Sequence, residues 1–241
     1  MTDFFGDILF NYLNSQSYTH VLRREDGFIY NQETEACFTK FSDWRDYEKN
    51  LIARYAKGRV LDIGAGSGRH SLFLQENGAE VHAIDRSPSA IRLMKIRGVK
   101  NTYLMDYRKL SFPRNYFDCV LLMFIENGLG GTIKGAKRLL DSLYRITTPN
   151  GKIIATLRDP QVKNAKEDLS KSFNIKPAPK ENSIRMRIEQ ENKFGYWFYS
   201  LMVAPEQIET LVGSNGWQVL DVAKGEDGFY GIVLEKRNKE N

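Results

Sequence analysis

Cysteine is nearly absent from this chain: two residues in 241, Cys37 and Cys119, far apart. That excludes a disulfide framework, and no Cys/His spacing suits a structural metal, so no metal is expected. Histidine is as scarce, with three residues. His82 falls in an apolar run, His70 at a helix start and His20 in the N-terminal stretch, and none has a Ser or Cys partner for nucleophilic catalysis. No apolar run is long enough to cross a bilayer. No charged leader with an apolar core and a small-residue cleavage site opens the chain. The expectation is a cytoplasmic protein with no membrane partner. Charge of one sign is not massed either. The net charge is +5, from 35 Lys and Arg against 30 Asp and Glu. The signs are mixed, as in Arg45, Asp46, Glu48, Lys49 and in Lys163, Lys166, Glu167, Asp168, which reads as solvated helix faces. A basic surface for nucleic acid would have to assemble in three dimensions, and is not favoured.

What is present supports one α/β unit with additions. Residues 1–57 read as a helical extension. Phe4, Phe5, Ile8, Leu9, Tyr12 and Leu13 form one apolar stripe, a loop follows through Arg23–Gly27, and Ser42 is a candidate N-cap for a helix presenting Trp44, Tyr47, Leu51 and Tyr55. Such helices are not stable alone, so their stripes must dock elsewhere, either as plain packing or as a lid. Residues 58–241 form the main domain. Its strands are expected near 59–63, 80–84, 101–105, 117–123 and 151–157, with apolar runs that suit a sheet buried on both faces. A helix from Thr132 to Arg145 carries Ala136, Leu139, Leu140 and Leu143 inward. Residues 159–203 exceed what a bare domain needs. Ser183–Glu189 alternates apolar and charged residues, and the aromatic run from Lys193 reads as its antiparallel partner.

The most informative stretch is Val60-Leu-Asp-Ile-Gly-Ala-Gly-Ser-Gly-Arg-His70, an apolar strand entering a glycine-rich turn and then a helix. Gly64, Gly66 and Gly68 let a ligand lie against bare backbone. The dinucleotide fingerprint would put Gly at position 69, which is Arg. About twenty residues on, the next strand ends in Asp85, where a carboxylate reaches a ribose in either NAD enzymes or methyltransferases. Asn101 to Asp106 is a third strand ending in Met105-Asp106, and Phe117 to Phe124 a fourth.

In that order and spacing, residues 58–158 resemble the class I S-adenosylmethionine-dependent methyltransferases, and the likeness returns at Gly216-Trp-Gln-Val and the strand Phe229–Glu235. The resemblance implies a Rossmann-like seven-stranded sheet with an antiparallel last strand and the N-terminal helices as a candidate lid. The β insertion departs from the minimal family plan; leaving the carboxyl end of strand five, it is expected over the cleft as a candidate substrate cap. The implied cofactor is S-adenosylmethionine, leaving as S-adenosylhomocysteine. Gly64, Ala65 and Gly66 would lie along its methionine end, Asp85 on the ribose, and Met105 with Asp106 around adenine. Asp62 would hold the loop or touch the amino group, with Arg86, Tyr107 and Phe124 alongside.

The same resemblance puts the acceptor beside Glu126 and Asn127, a candidate base and a candidate orienting group. The Asn/Asp-Pro-Pro-Tyr/Phe motif of base- and glutamine-modifying relatives is absent. Arg158 and Asp159 are candidates for binding a charged acceptor group. Tyr196 and Trp197 invite a cation–π cage for an amine, though strand alternation sends only one of them to a given face. A small-molecule acceptor is the favoured partner. Rival readings are an RNA or protein methyltransferase, an NAD-dependent oxidoreductase, and a non-catalytic adenosine-binding module.

Overall fold

In chain order the extension forms α1 (Phe4–Tyr12), β1 (Thr19–Arg24), β2 (Ile29–Glu33) and α2 (Asp46–Tyr55). The main domain follows with β3 (Arg59–Ile63), α3 (Arg69–Glu76), β4 (Glu80–Asp85), α4 (Pro88–Arg97), β5 (Asn101–Leu104), β6 (Phe117–Leu122), α5 (Ile133–Ile146) and β7 (Thr147–Arg158). The insertion supplies β8 (Ser183–Gln190), β9 (Lys193–Phe194) and β10 (Phe198–Leu201), before α6 (Ile208–Gly213), β11 (Trp217–Lys224) and β12 (Phe229–Lys236). This computed structural model describes residues 3–13, 19–124, 129–160, 183–225 and 228–237.

Seven strands make the main sheet, in the order β11-β12-β7-β6-β3-β4-β5. β5, β4, β3, β6 and β7 run parallel, while β12 is antiparallel to both β7 and β11. Their apolar runs are continuous because helices cover both faces. From Cys119 to Leu122 no residue of β6 exceeds 1% exposure. α5 buries Ala136, Leu139, Leu140 and Leu143 and is capped by the Thr132 hydroxyl, which accepts from the Gly135 N–H. α2 covers the opposite face, where Leu51 and Ile52 pack with Val60, Leu121, Ile154 and Val233. Among the described residues, no helix is long and apolar enough to cross a membrane.

The second sheet departs from the sequence-based expectation. Arg23 and Arg24 are not loop residues but the end of β1, and only the turn reaching Gly27 separates it from β2. β1 also pairs antiparallel with β8 of the insertion, Leu22 opposite Ile188 and Arg24 opposite Met186. The sheet order is β10-β8-β1-β2. A ladder made with so distant a partner leaves no local signature. The second helix likewise starts later than Ser42, at Asp46. Trp44 explains the delay: its indole N–H donates to the Thr39 carbonyl, its ring packs on Phe41 and Phe73, and the chain stays extended through Arg45.

His20 reports on this shared sheet. It is buried against Phe5, with Nδ1 3.1 Å from the Thr34 hydroxyl, and burial lowers its pKa from 6.5 to about 4. The neutral ring is the folded form. Its contribution is full above pH 6.5 and drains away as pH falls toward 4, when the unfolded chain takes up a proton that the folded chain refuses. Urea unfolding should therefore lose about 2 kcal/mol more between pH 7 and pH 5 in the parent than in His20→Gln.

Candidate active site

The site begins with the bend after β3. Gly64, Gly66 and Gly68 all have left-handed φ values, of 68°, 55° and 76°. A side chain is strained in that region, and at Gly68 a Cβ would also come within 2.9 Å of Val99. The N–H groups of Gly64 and Ala65 donate to the Ile84 carbonyl, and that of Gly66 donates to Asp85 Oδ2 at 3.0 Å. The other Asp85 oxygen accepts from the Ser87 N–H at 2.9 Å. Burial, the largest influence, raises the Asp85 pKa above its ordinary value. The bend has therefore committed three of its amides to the protein itself. A pyrophosphate cradle needs such amides free, which argues against a dinucleotide.

Above the bend lies a cavity of about 210 Å³. Gly64, Gly66, Asp85, Arg86, Met105, Tyr107 and Phe124 all line it, as does Tyr196 from the insertion. Asp62 does not: it is 1% exposed and accepts the Ser71 hydroxyl at 2.6 Å, tying the bend to α3. Ala65 turns underneath, among Ala83, Ile91, Met94 and Val99. The Asp106 carboxylate is held by Arg108, whose Nη2 lies 2.5 Å away and whose hydrogen bond keeps its pKa below the ordinary carboxylate range. Trp197, in the link between β9 and β10, lies outside the cavity lining and packs with Arg187 and Arg185. Arg158 and Asp159 stand outside the cavity wall. Glu126 and Asn127 lie outside the described residues.

The roof has two sources. Phe4, Phe5 and Leu9 of α1 close one part, and Ile188, Gly195 and Phe198 of the insertion close the other. α1 is latched to the start of α4, where Asp3 accepts from the Ser89 N–H at 2.8 Å and Asp7 from the Ser89 hydroxyl at 2.5 Å. Arg86 stacks on Tyr196 at 4.5 Å and so joins the β4 corner to the insertion. The sequence marks the α1 stripe without telling which surface receives it.

Glu48 is the functional-site residue that its sequence setting hides. It sits in a mixed charge run that reads as a solvated face, yet its exposure is 0%. Its Oε1 accepts from Arg69 Nη2 and pairs with His70 Nε2, each at 2.6 Å, bracing the first turn of α3. Phe124 carries a second hidden feature. It is a non-glycine residue with φ of 52°, and its N–H donates to the Thr156 hydroxyl. That conformation costs energy and turns the chain sharply where β6 ends.

The profile described as a methyltransferase domain matches residues 61–155. A demethylmenaquinone methyltransferase of Thermus thermophilus is 31% identical over 129 residues, 51% of this chain and 57% of the relative. Another, of Clavibacter sepedonicus, is 31% identical over 176 residues, 71% and 59% of the two chains. Over residues 61–155 the chain is thus similar to the S-adenosylmethionine-dependent methyltransferases. It spans about half to three-fifths of the length of these curated relatives. The same fold is seen in a methyltransferase of Bacteroides fragilis crystallised with S-adenosylhomocysteine, with a TM-score of 0.81 at 23% identity, covering 98% of this chain and 95% of that one.

Asp85 gives a direct test of this site. If Asp85 takes the ribose of a bound nucleoside, as the sequence implies, Asp85→Ala should weaken S-adenosylhomocysteine binding by about 1–3 kcal/mol in calorimetry, through unpaired hydroxyls and a released Gly66 amide. In the parent, affinity should fall as pH drops through the raised Asp85 pKa, because the protonated acid accepts fewer hydrogen bonds.

Proposed function

We propose that the protein transfers a methyl group from S-adenosylmethionine to a small-molecule acceptor in the cytoplasm. The carrying observation is the roofed cavity between the Gly64–Gly68 bend, Asp85 and Met105, closed over by α1 and the insertion strands. A roof this close suits a small acceptor, and the family and the named activity of its quinone-methylating relatives support the reading. Two features of the site suit the cofactor. The bare bend with spent amides accommodates an amino-acid tail better than phosphates, and Asp85 is a buried acceptor beside it suited to a ribose diol.

In this reading Gly64 and Gly66 border the methionine portion, with Ala65 holding the bend from below. Asp85 takes the ribose hydroxyls, and Met105 and Tyr107 flank the purine. Asp106 would reach the purine's amino group by giving up Arg108. Bound S-adenosylmethionine supplies an already activated methyl carbon. The protein's part is then to hold the acceptor in line at short range and to exclude water. Glu126 is assigned as base and Asn127 as orienting group for acceptors that lose a proton.

Incubating the protein with labelled-methyl S-adenosylmethionine and a fractionated cell extract tests the proposal. Label should enter the small-metabolite fraction; label confined to RNA or protein, or none, would refute it. Once the acceptor is in hand, Glu126→Gln should lower turnover most in the pH range where a carboxylate is ionised and the acceptor still holds its proton, and unchanged activity across pH would leave positioning as the whole mechanism.

A further inference from the structure

α1 reaches from one corner of the cavity to the glycine bend. Toward its carboxyl end Leu9 packs on the bend, with Cδ1 3.4 Å from where a Gly66 Cβ would stand. At its amino end Asp3 and Gly6 meet the start of α4, and both line the cavity together with Asp85 and Ser87. The seat is close because Gly6 has no side chain. A Cβ there would overlap the Ser87 hydroxyl and come within 2.5 Å of Asp3 Oδ1.

Two carboxylates therefore share this corner. Asp85 accepts one N–H on each oxygen, from Gly66 and from Ser87. Asp3 Oδ2 accepts from the Ser89 N–H at 2.8 Å, in the first turn of α4, where the helix dipole favours a negative group. Asp3 Oδ1 receives no hydrogen bond among the described residues. Burial is the main reason that the Asp85 pKa is raised, and the charge of Asp3 adds to it, so the two acids are within electrostatic reach. A carboxylate oxygen has room for two hydrogen bonds, which leaves both acids with acceptor capacity. What completes such a corner is a ligand with two neighbouring O–H donors.

We propose that Asp3 is a second ribose-binding residue: one hydroxyl of the nucleoside's vicinal diol donates to Asp85 and the other to Asp3. The assignment rests on the S-adenosylmethionine reading and adds a contact from the N-terminal extension to it. The ammonium of the amino-acid tail is the other donor that an acid attracts. Position separates the two. The tail follows Gly64 and Gly66, beneath Leu9, whereas Asp3 is tied to α4 at the opposite end of α1. A ribose held in this way joins the β4 corner to the roof, so that the ligand itself fastens α1 down. It also makes the site choose ribose over deoxyribose, because either deoxy sugar forfeits one of the two acids.

Four ligands isolate the contact: S-adenosylhomocysteine, its 2′-deoxy and 3′-deoxy analogues, and an analogue lacking the tail amino group. Each is titrated by calorimetry into the parent, Asp3→Asn and Ser89→Ala. Asn keeps an oxygen for the Ser89 N–H and removes the carboxylate; Ser89→Ala removes the hydroxyl bond to Asp7 and leaves Asp3 unchanged. Asp3→Asn should weaken S-adenosylhomocysteine about tenfold, the size of one hydrogen bond to a charged group. For one of the two deoxy analogues the same substitution should change affinity by no more than about twofold, since the partner hydroxyl is already gone. The des-amino analogue should still lose about tenfold. Ser89→Ala should act on all four ligands alike, as a loosened roof does. An equal loss for all four ligands in Asp3→Asn, up to no binding at all, would make Asp3 a seat for the roof and overturn the proposal. Unchanged S-adenosylhomocysteine affinity in Asp3→Asn, or a loss that disappears only with the des-amino analogue, would overturn it as well. In each of these cases the parent still binds S-adenosylhomocysteine and the cofactor reading stands; a parent that does not bind it brings down both.

Discussion

The hydrogen bond from the Gly66 N–H to the Asp85 carboxylate is the constraint around which the site is arranged. It joins the ends of two adjacent parallel strands and holds a bend that only glycine enters without strain. Because Asp85 also accepts from Ser87, the same carboxylate sets the start of α4. α1 in turn hangs on α4 through Ser89. Floor, corner and roof are thus linked through one acid. Its raised pKa is the electrostatic cost of holding a carboxylate in so dry a position.

A second layer supports the bend from behind. Asp62 takes the Ser71 hydroxyl, Glu48 takes Arg69 and His70, and the Ser67 hydroxyl donates to the Cys37 carbonyl. The last two supports come from the N-terminal extension. The extension therefore braces the glycine bend from behind as well as lining the cavity through α1. Glu48 Oε2 has no hydrogen-bond partner among the described residues. A buried carboxylate oxygen left in that state is kept only where the rest of the pair is well satisfied, as its two 2.6 Å contacts are.

The central sheet is legible from sequence because burial on both faces writes unbroken apolar runs such as Cys119–Leu122. α5 is legible through its stripe and its Thr132 cap, and the bend through its glycines. The glycine at 64 and 66 and the acid at 85 line the cavity as their pattern implies. What stays hidden depends on distant partners. β1 reads as loop because the strand beside it is β8, far along the chain. Glu48 reads as a surface acid because Arg69 and His70 reach it only in three dimensions. Asp106 reads as a cavity residue because nothing in the spacing reveals that Arg108 folds back to capture it. At Phe124 a bulky residue adopts a glycine-like turn, against every local preference.

The two-source roof also sets an order of events during synthesis. Arg23 and Glu189, which pair across it, are separated by 166 positions. At ribosomal speeds the amino-terminal hairpin waits roughly ten to thirty seconds for its neighbour to be made. Over that interval the five parallel strands β3 to β7 have time to assemble while the leaf above them is half built, with the outer edge of β1 unpaired. The floor of the chamber is thus made before its cover, and the first nascent form of the molecule is an open one.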